Sequence, residues 1–146
     1  MAEPSDEAQI VAQLNEYRPP FIDLLGGRVV AANSADRSCT FEFRVPLEYC
    51  HSGNVVQGGF VTAMLDASMA HAVFGCDPSI TRLSSLEIST RYESITRGDV
   101  PLRVEGRIRK LTRTVAFLEA ELMDEDGQVL ASASSVAKVG RDTAKT

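Results

Sequence analysis

Gln57-Gly58-Gly59-Phe60-Val61-Thr62-Ala63-Met64-Leu65-Asp66 is the stretch that decides the fold. Two glycines stand ahead of a run with helical apolar spacing. Val61, Met64, Leu65, Met69, Ala72 and Val73 fall on one stripe, which predicts a helix over Gly58 to Phe74, ended by Gly75, Asp77 and Pro78. Thr62, Asp66 and Ala70 share a different face, one turn apart. Asp66 is the only charge between Thr62 and Ala70.

Outward from this helix the pattern is strand-like. Upstream, Arg28 to Ala32 is one run and Cys39 to Val45 another. In the second, Cys39, Phe41, Phe43 and Val45 alternate with Thr40, Glu42 and Arg44. Pro46 stops it, and a loop over Leu47 to Val56 holds His51, Gly53 and Asn54. Nearer the N-terminus, Ser5 followed by Asp6-Glu7 reads as a helix start, with Ile10, Val11 and Leu14 as its stripe and Pro19-Pro20 as its end near Tyr17. Phe21 to Leu25 reads as one more turn. Downstream, Leu83 to Tyr92, Pro101 to Leu111, Thr114 to Met123 and Gln128 to Val139 read as four strands in meander, with Asp126-Gly127 as a hairpin turn.

This order predicts an α+β fold, a long central helix against an antiparallel sheet. The chain divides into residues 1–20, an N-terminal helix and Pro-rich connection; residues 21–139, the domain; and residues 140–146, a frayed tail. An open sheet leaves an edge, and pairing two edges between protomers removes it, so a dimer is expected.

The 146 residues suit one domain, and the apolar share, 44%, suits one core. A net charge of -5 argues against a broad nucleic-acid-binding face. No run approaches about 18 consecutive apolar residues, so no membrane-crossing helix is expected. The acidic start, Met1 to Glu7, lacks an apolar segment, so no signal peptide is expected. Cys39, Cys50 and Cys76 have no short spacing and fit reduced thiols in a cytoplasmic protein. With two histidines, His51 and His71, a metal enzyme would be short of ligands, so no metal is expected.

The glycines give the helix start its chemistry. The first N–H groups of a helix have no internal partner and carry the positive end of its dipole. Glycine lets a ligand oxygen approach that backbone. Such a site can polarise a carbonyl and hold the oxyanion formed on attack. Asp66 lies off the apolar stripe, in a helix interior where aspartate has poor propensity. Read singly, each feature has an ordinary alternative: a loop before a helix, a solvated carboxylate, plain strand serines at Ser84 and Ser85, a solvated basic face at Arg107, Arg109, Lys110 and Arg113.

Together they resemble a known family. Gln57 to Asp66 is similar to the His-Gly-Gly-x5-Leu-Asp signature of hotdog thioesterases of the PaaI-like, phenylacetic-acid-degradation type. Ser85-Leu86-Glu87-Ile88-Ser89-Thr90-Arg91-Tyr92 resembles the family's next strand, a Ser or Thr followed seven residues later by an aromatic. Arg109 to Ala116 and Asp126 to Ala131 resemble the turn and hairpin that follow. The similarity covers roughly residues 20 to 139.

The resemblance implies a hotdog fold, a sheet wrapped around the central helix, and hydrolysis of an acyl-coenzyme A thioester to free acid and coenzyme A. It implies Asp66 as nucleophile or general base and the Gly58 N–H on the thioester oxygen. Ser85, or Ser84 one residue away, supplies a strand hydroxyl. It implies a site shared across a dimer, in a homodimer or homotetramer. The coenzyme is part of the substrate, and no cofactor is needed. Gly59 and Asn54 are further substrate-binding candidates, and Arg91, Arg109, Lys110 and Arg113 are candidates for the coenzyme's phosphates. Two residues depart from the pattern: Gln57 replaces the usual His, and His51 stands where relatives place an amide. Glutamine donates and accepts hydrogen bonds but does not titrate. The exchange motivates a second reading, a non-catalytic acyl-CoA or small-ligand binding module on the same fold. A hotdog dehydratase needs a His motif that is absent here, and a purely structural oligomerisation domain is the fallback.

Overall fold

A computed structural model describes residues 4–142. Its helices are α1 (Pro4–Glu16), α2 (Pro20–Leu24) and α3 (Gly58–Cys76). Its strands are β1 (Arg28–Asn33), β2 (Ser38–Phe43), β3 (Cys50–His51), β4 (Val55–Val56), β5 (Ile80–Tyr92), β6 (Leu102–Leu111), β7 (Val115–Met123) and β8 (Val129–Arg141). Six strands form one antiparallel sheet in the order β1-β2-β6-β7-β8-β5, and β3 and β4 make a separate small hairpin.

The alternation seen in the sequence places the core. Cys39, Phe41, Phe43 and Val45 are buried, as are Leu102, Val104 and Ile108 of β6 and Ala116, Leu118, Ala120 and Leu122 of β7. α3 lies on this face and contributes Val61, Met64, Leu65, Met69, Ala72 and Val73, all buried. Removing the Val, Leu, Ile, Phe and Met side chains among these from water contributes about 1.5–3 kcal/mol each. By length and composition α3 would pass as a membrane span. What it buries its stripe against is the protein's own sheet.

Gly106 sets how closely helix and sheet approach. A Cβ there would sit 2.3 Å from the Ser68 backbone carbonyl and 2.6 Å from Met69 N. Only a residue without a side chain fits that crossing.

Several boundaries move. The first helix begins at Pro4 rather than Ser5, because proline's fixed φ suits a first helical position. Gly75 is inside α3, where a Cβ would lie 3.3 Å from Ile10 Cγ2 and Leu14 Cδ1; it makes room for α1 instead of ending the helix. Gly140 and Arg141 belong to β8, opposite Arg82 and Ile80, so the expected tail starts too early. Residues 1–3 and 143–146 lie outside the described residues.

The largest correction concerns the meander, which holds only for β6, β7 and β8. β2 offers an open edge, and β6 fills it with Phe41 opposite Val104 and Phe43 opposite Leu102. That pairing keeps the buried faces contiguous under α3. β5 is thereby displaced to the far edge, paired only with β8 among the described strands. It is 13 residues long and mostly exposed; Leu86 is 63% exposed. Its register shifts between Ser85 and Glu87, leaving Leu86 as a bulge.

Candidate active site

α3 turns its less buried side toward β5. Asp66 is half-buried there, and the Ser85 hydroxyl donates to its Oδ1 over a long 3.4 Å. Burial raises the Asp66 pKa above its ordinary 3.8, and the Ser85 hydrogen bond opposes part of that rise. One turn earlier, Thr62 Oγ1 lies 2.9 Å from Thr90 Oγ1 and 2.8 Å from the Tyr92 hydroxyl. The Tyr92 hydroxyl donates to Gly58 O at 2.9 Å. These contacts clasp the second half of β5 onto the start of the helix.

The Leu86 bulge makes this set possible. Ser85 and Tyr92 are seven residues apart, so an unbroken strand would put them on opposite faces. The extra residue flips the parity, and both reach α3. Ser84 precedes the bulge opposite Lys138 and faces away from the helix, so Ser85 is the serine that meets Asp66.

The helix start is open. Gln57 caps it with its main chain only: its carbonyl accepts from Phe60 N at 2.9 Å and Val61 N at 3.2 Å, and its exposed side chain makes no cap bond. The N–H groups of Gly58 and Gly59 have no partner among the described residues. Free N–H groups at a helix start favour an anion or a polarised carbonyl oxygen. Beside it, the β3–β4 hairpin is tied down by Arg97, whose Nη1 donates to Asn54 Oδ1 at 2.9 Å, and by Gly98 N donating to Asn54 O at 2.9 Å. His51 is exposed on this hairpin, with Nδ1 3.1 Å from Ser52 Oγ.

The basic candidates do not converge on Asp66. Arg91 faces away from the helix, beside Ser89, Ser132 and Ser134. Arg109 pairs with Glu119 at 3.3 Å. Lys110 is exposed after a shift in β6, and Arg113 lies in the β6–β7 turn, its carbonyl bonded by Arg141. The sequence reading missed Thr90 and Arg97. Thr62 carried a signal, since it shares the Asp66 face.

A further fact limits what one chain can do. Gly58 and Asp66 are eight residues apart on one helix, about 12 Å of rise. A carbonyl oxygen on the Gly58 N–H therefore sits far beyond the roughly 3–3.5 Å at which Asp66, or water held by it, would attack.

A helix wrapped by an antiparallel sheet, with glycines at its start and a half-buried carboxylate two turns inside, defines a hotdog protein. The thioesterase superfamily model matches residues 53–131, more than half of the chain. The chain belongs to that superfamily, whose chemistry is thioester hydrolysis. Solved structures agree in fold. Escherichia coli PaaI, from the phenylacetic acid degradation operon, is 11% identical with a TM-score of 0.82, over 97% of this chain and 99% of that one. A protein of Ralstonia eutropha JMP134 described as related to phenylacetic acid degradation is 22% identical with a TM-score of 0.79, over 89% and 99%. A "hypothetical thioesterase protein" of Streptococcus pneumoniae TIGR4, solved with coenzyme A, is 14% identical with a TM-score of 0.74, over 84% and 93%. A search of curated proteins finds no significant match.

Proposed function

We propose that the protein hydrolyses acyl-CoA thioesters at a site built by two copies of the chain. Asp66 and Ser85 come from one copy and the Gly58 N–H from the other. The observation that carries this is the separation just described: an unpartnered helix start and a half-buried carboxylate, each suited to half of the reaction and too far apart to share a substrate within one chain. The long edge of β5 supports a pairing of two copies. Around a two-fold axis beside Thr62, antiparallel helices set Asp66 of one copy against Gly58 of the second. Thr62 touches Thr90 and Tyr92, so the same axis runs through the second half of β5. The coenzyme A in the streptococcal structure supports the choice of thiol.

In this reading the thioester oxygen rests on the Gly58 N–H. Asp66, held by Ser85, takes a proton from water as the water oxygen attacks the carbonyl carbon. The oxyanion collapses, the C–S bond breaks, and coenzyme A leaves as a thiolate that needs no strong acid near neutral pH. A raised pKa makes Asp66 a better base. Gln57, with no titrating group, orients the substrate by hydrogen bonds. A single turnover in H2-18O tests the base role: label appears only in the free acid, and label in Asp66 would instead mean direct attack by the carboxylate.

Complementation tests the shared site. Gly58→Pro removes the N–H, and Gln57 already has φ -56 and ψ 135, the extended conformation that precedes proline. Gly58→Pro and Asp66→Asn are each inactive alone. Mixed after unfolding and refolding together, they regain roughly a quarter of wild-type activity, because random pairing in two-fold dimers restores one intact site in each mixed pair. No regain would place both groups in one chain and overturn the reading.

Ser85→Ala is expected to move the acid limb of the pH–kcat/KM profile upward. The lost hydrogen bond favours the ionised carboxylate, so without it Asp66 holds its proton to higher pH. An unmoved limb would remove Ser85 from the site.

A further inference from the structure

A cavity of about 480 Å³ lies between α1, the C-terminal half of α3 and the start of β5. Leu14, Tyr17, Phe74 and Ile80 are among its apolar walls, and His71 lines it. Neither Asp66 nor Ser85 does.

His71 is 6% exposed. Its ring packs edge-on against Phe41, with centroids 5.0 Å apart, and against Phe74 at 6.1 Å. Nδ1 lies 2.8 Å from Ala67 O. A carbonyl only accepts, so Nδ1 carries the proton and Nε2 presents a lone pair. No described residue bonds Nε2. The Nε2 lone pair is an available acceptor, and a cavity with apolar walls and one placed polar atom is the usual form of a small-molecule site.

We propose that this cavity is a second ligand site, for a small uncharged apolar body bearing one hydrogen-bond donor that bonds His71 Nε2. Either a free small molecule or the far end of a substrate's acyl group could present that chemistry. A cationic ligand fits poorly among the apolar walls, and an anionic one would meet a lone pair. Burial holds the His71 pKa below its ordinary 6.5, so the acceptor persists at neutral pH.

Fluorine NMR with 4-fluorophenol and 4-fluorotoluene tests the proposal, since the two probes differ in the donor and hardly in size. The wild type is expected to show saturable 4-fluorophenol binding, roughly tenfold tighter than 4-fluorotoluene. His71→Phe should keep the cavity and bind both probes alike; Leu14→Trp should fill the cavity and bind neither. No saturable binding to the wild type, or a phenol preference that survives in His71→Phe, overturns the site. If His71→Phe does not fold, the wild-type His71 Nε2 nitrogen shift gives the same readout, and an unmoved Nε2 at saturation overturns the proposal. Competition between 4-fluorophenol and acyl-CoA in turnover assigns the cavity to the acyl group. Binding without competition assigns it to a free molecule. The binding arm needs no turnover, so a protein inactive on thioesters still tests it.

Discussion

Asp66→Asn is expected to lower turnover of an acyl-CoA by a factor of about 10²–10⁴, the usual contribution of a positioned base, and at the same time to make the protein harder to melt at pH 7. The two effects have one origin. The folded chain binds the Asp66 proton more tightly than the unfolded chain, because burial raises the pKa from 3.8. Stability therefore falls as pH rises through the window above 3.8, and the penalty is fully developed above the folded-state pKa. Asparagine keeps the shape, can still meet the Ser85 hydroxyl and carries no charge to desolvate. Melting curves should diverge with rising pH and converge well below 3.8, where the carboxyl is protonated in both states. A variant that loses activity and melts lower at pH 7 would mark Asp66 as structural support rather than strained machinery. Retained kinetics would sink the catalytic assignment outright.

Gly106→Ala is the second large effect, and it acts on the fold. The new methyl would stand 2.3 Å from Ser68 C and O, which are backbone and cannot rotate away. α3 must lift from β6 at the centre of the helix–sheet contact. Overpacking of this kind costs about 3 kcal/mol, against a total stability of only 5–15 kcal/mol for typical domains. Chemical denaturation should show a midpoint well below wild type. Gly127→Ala is a useful contrast on the opposite terms. Its neighbourhood is open, with nothing within 4 Å of a Cβ, but its φ is +82, so any loss there comes from backbone strain alone. An unchanged midpoint in Gly106→Ala would mean that helix and sheet are less closely seated than described.

Much of the fold was legible because burial on one face writes a period into the sequence. Cys39-Phe41-Phe43-Val45 and Ala116-Leu118-Ala120-Leu122 alternate cleanly, and each set is buried. The α3 stripe was equally clear. β5 was the exception in placement. An edge strand buries little, so Ile80 to Tyr92 carries almost no alternation, and nothing local says that its partner is β8 and not β6. Gly75 misled for a related reason: a glycine that admits a neighbouring helix looks the same as one that ends its own. For the site, Asp66 and the glycines were visible as a charge off the stripe and a bare helix start. The basic residues were not separable, because Arg91, Arg109, Lys110 and Arg113 are all exposed and only the topology shows that they point to different places. The role of Arg97 in anchoring Asn54 depends on a contact 43 residues apart, which no local pattern records.

The bulge at Leu86 also leaves a mark that can be read without coordinates. In a relative whose edge strand runs unbroken, a serine and an aromatic facing the helix must be separated by an even number of positions; the odd spacing from Ser85 to Tyr92 reports an extra residue. Parity alone therefore sorts such sequences into bulged and unbulged strands. An aligner that forces the two kinds into one ungapped column would pair inward residues with outward ones along half of the strand. A single-residue gap opposite Leu86 restores the correspondence, and deleting Leu86 from this chain would convert one kind into the other, leaving Ser85 and Tyr92 six positions apart on an unbroken strand and still on one side of the sheet.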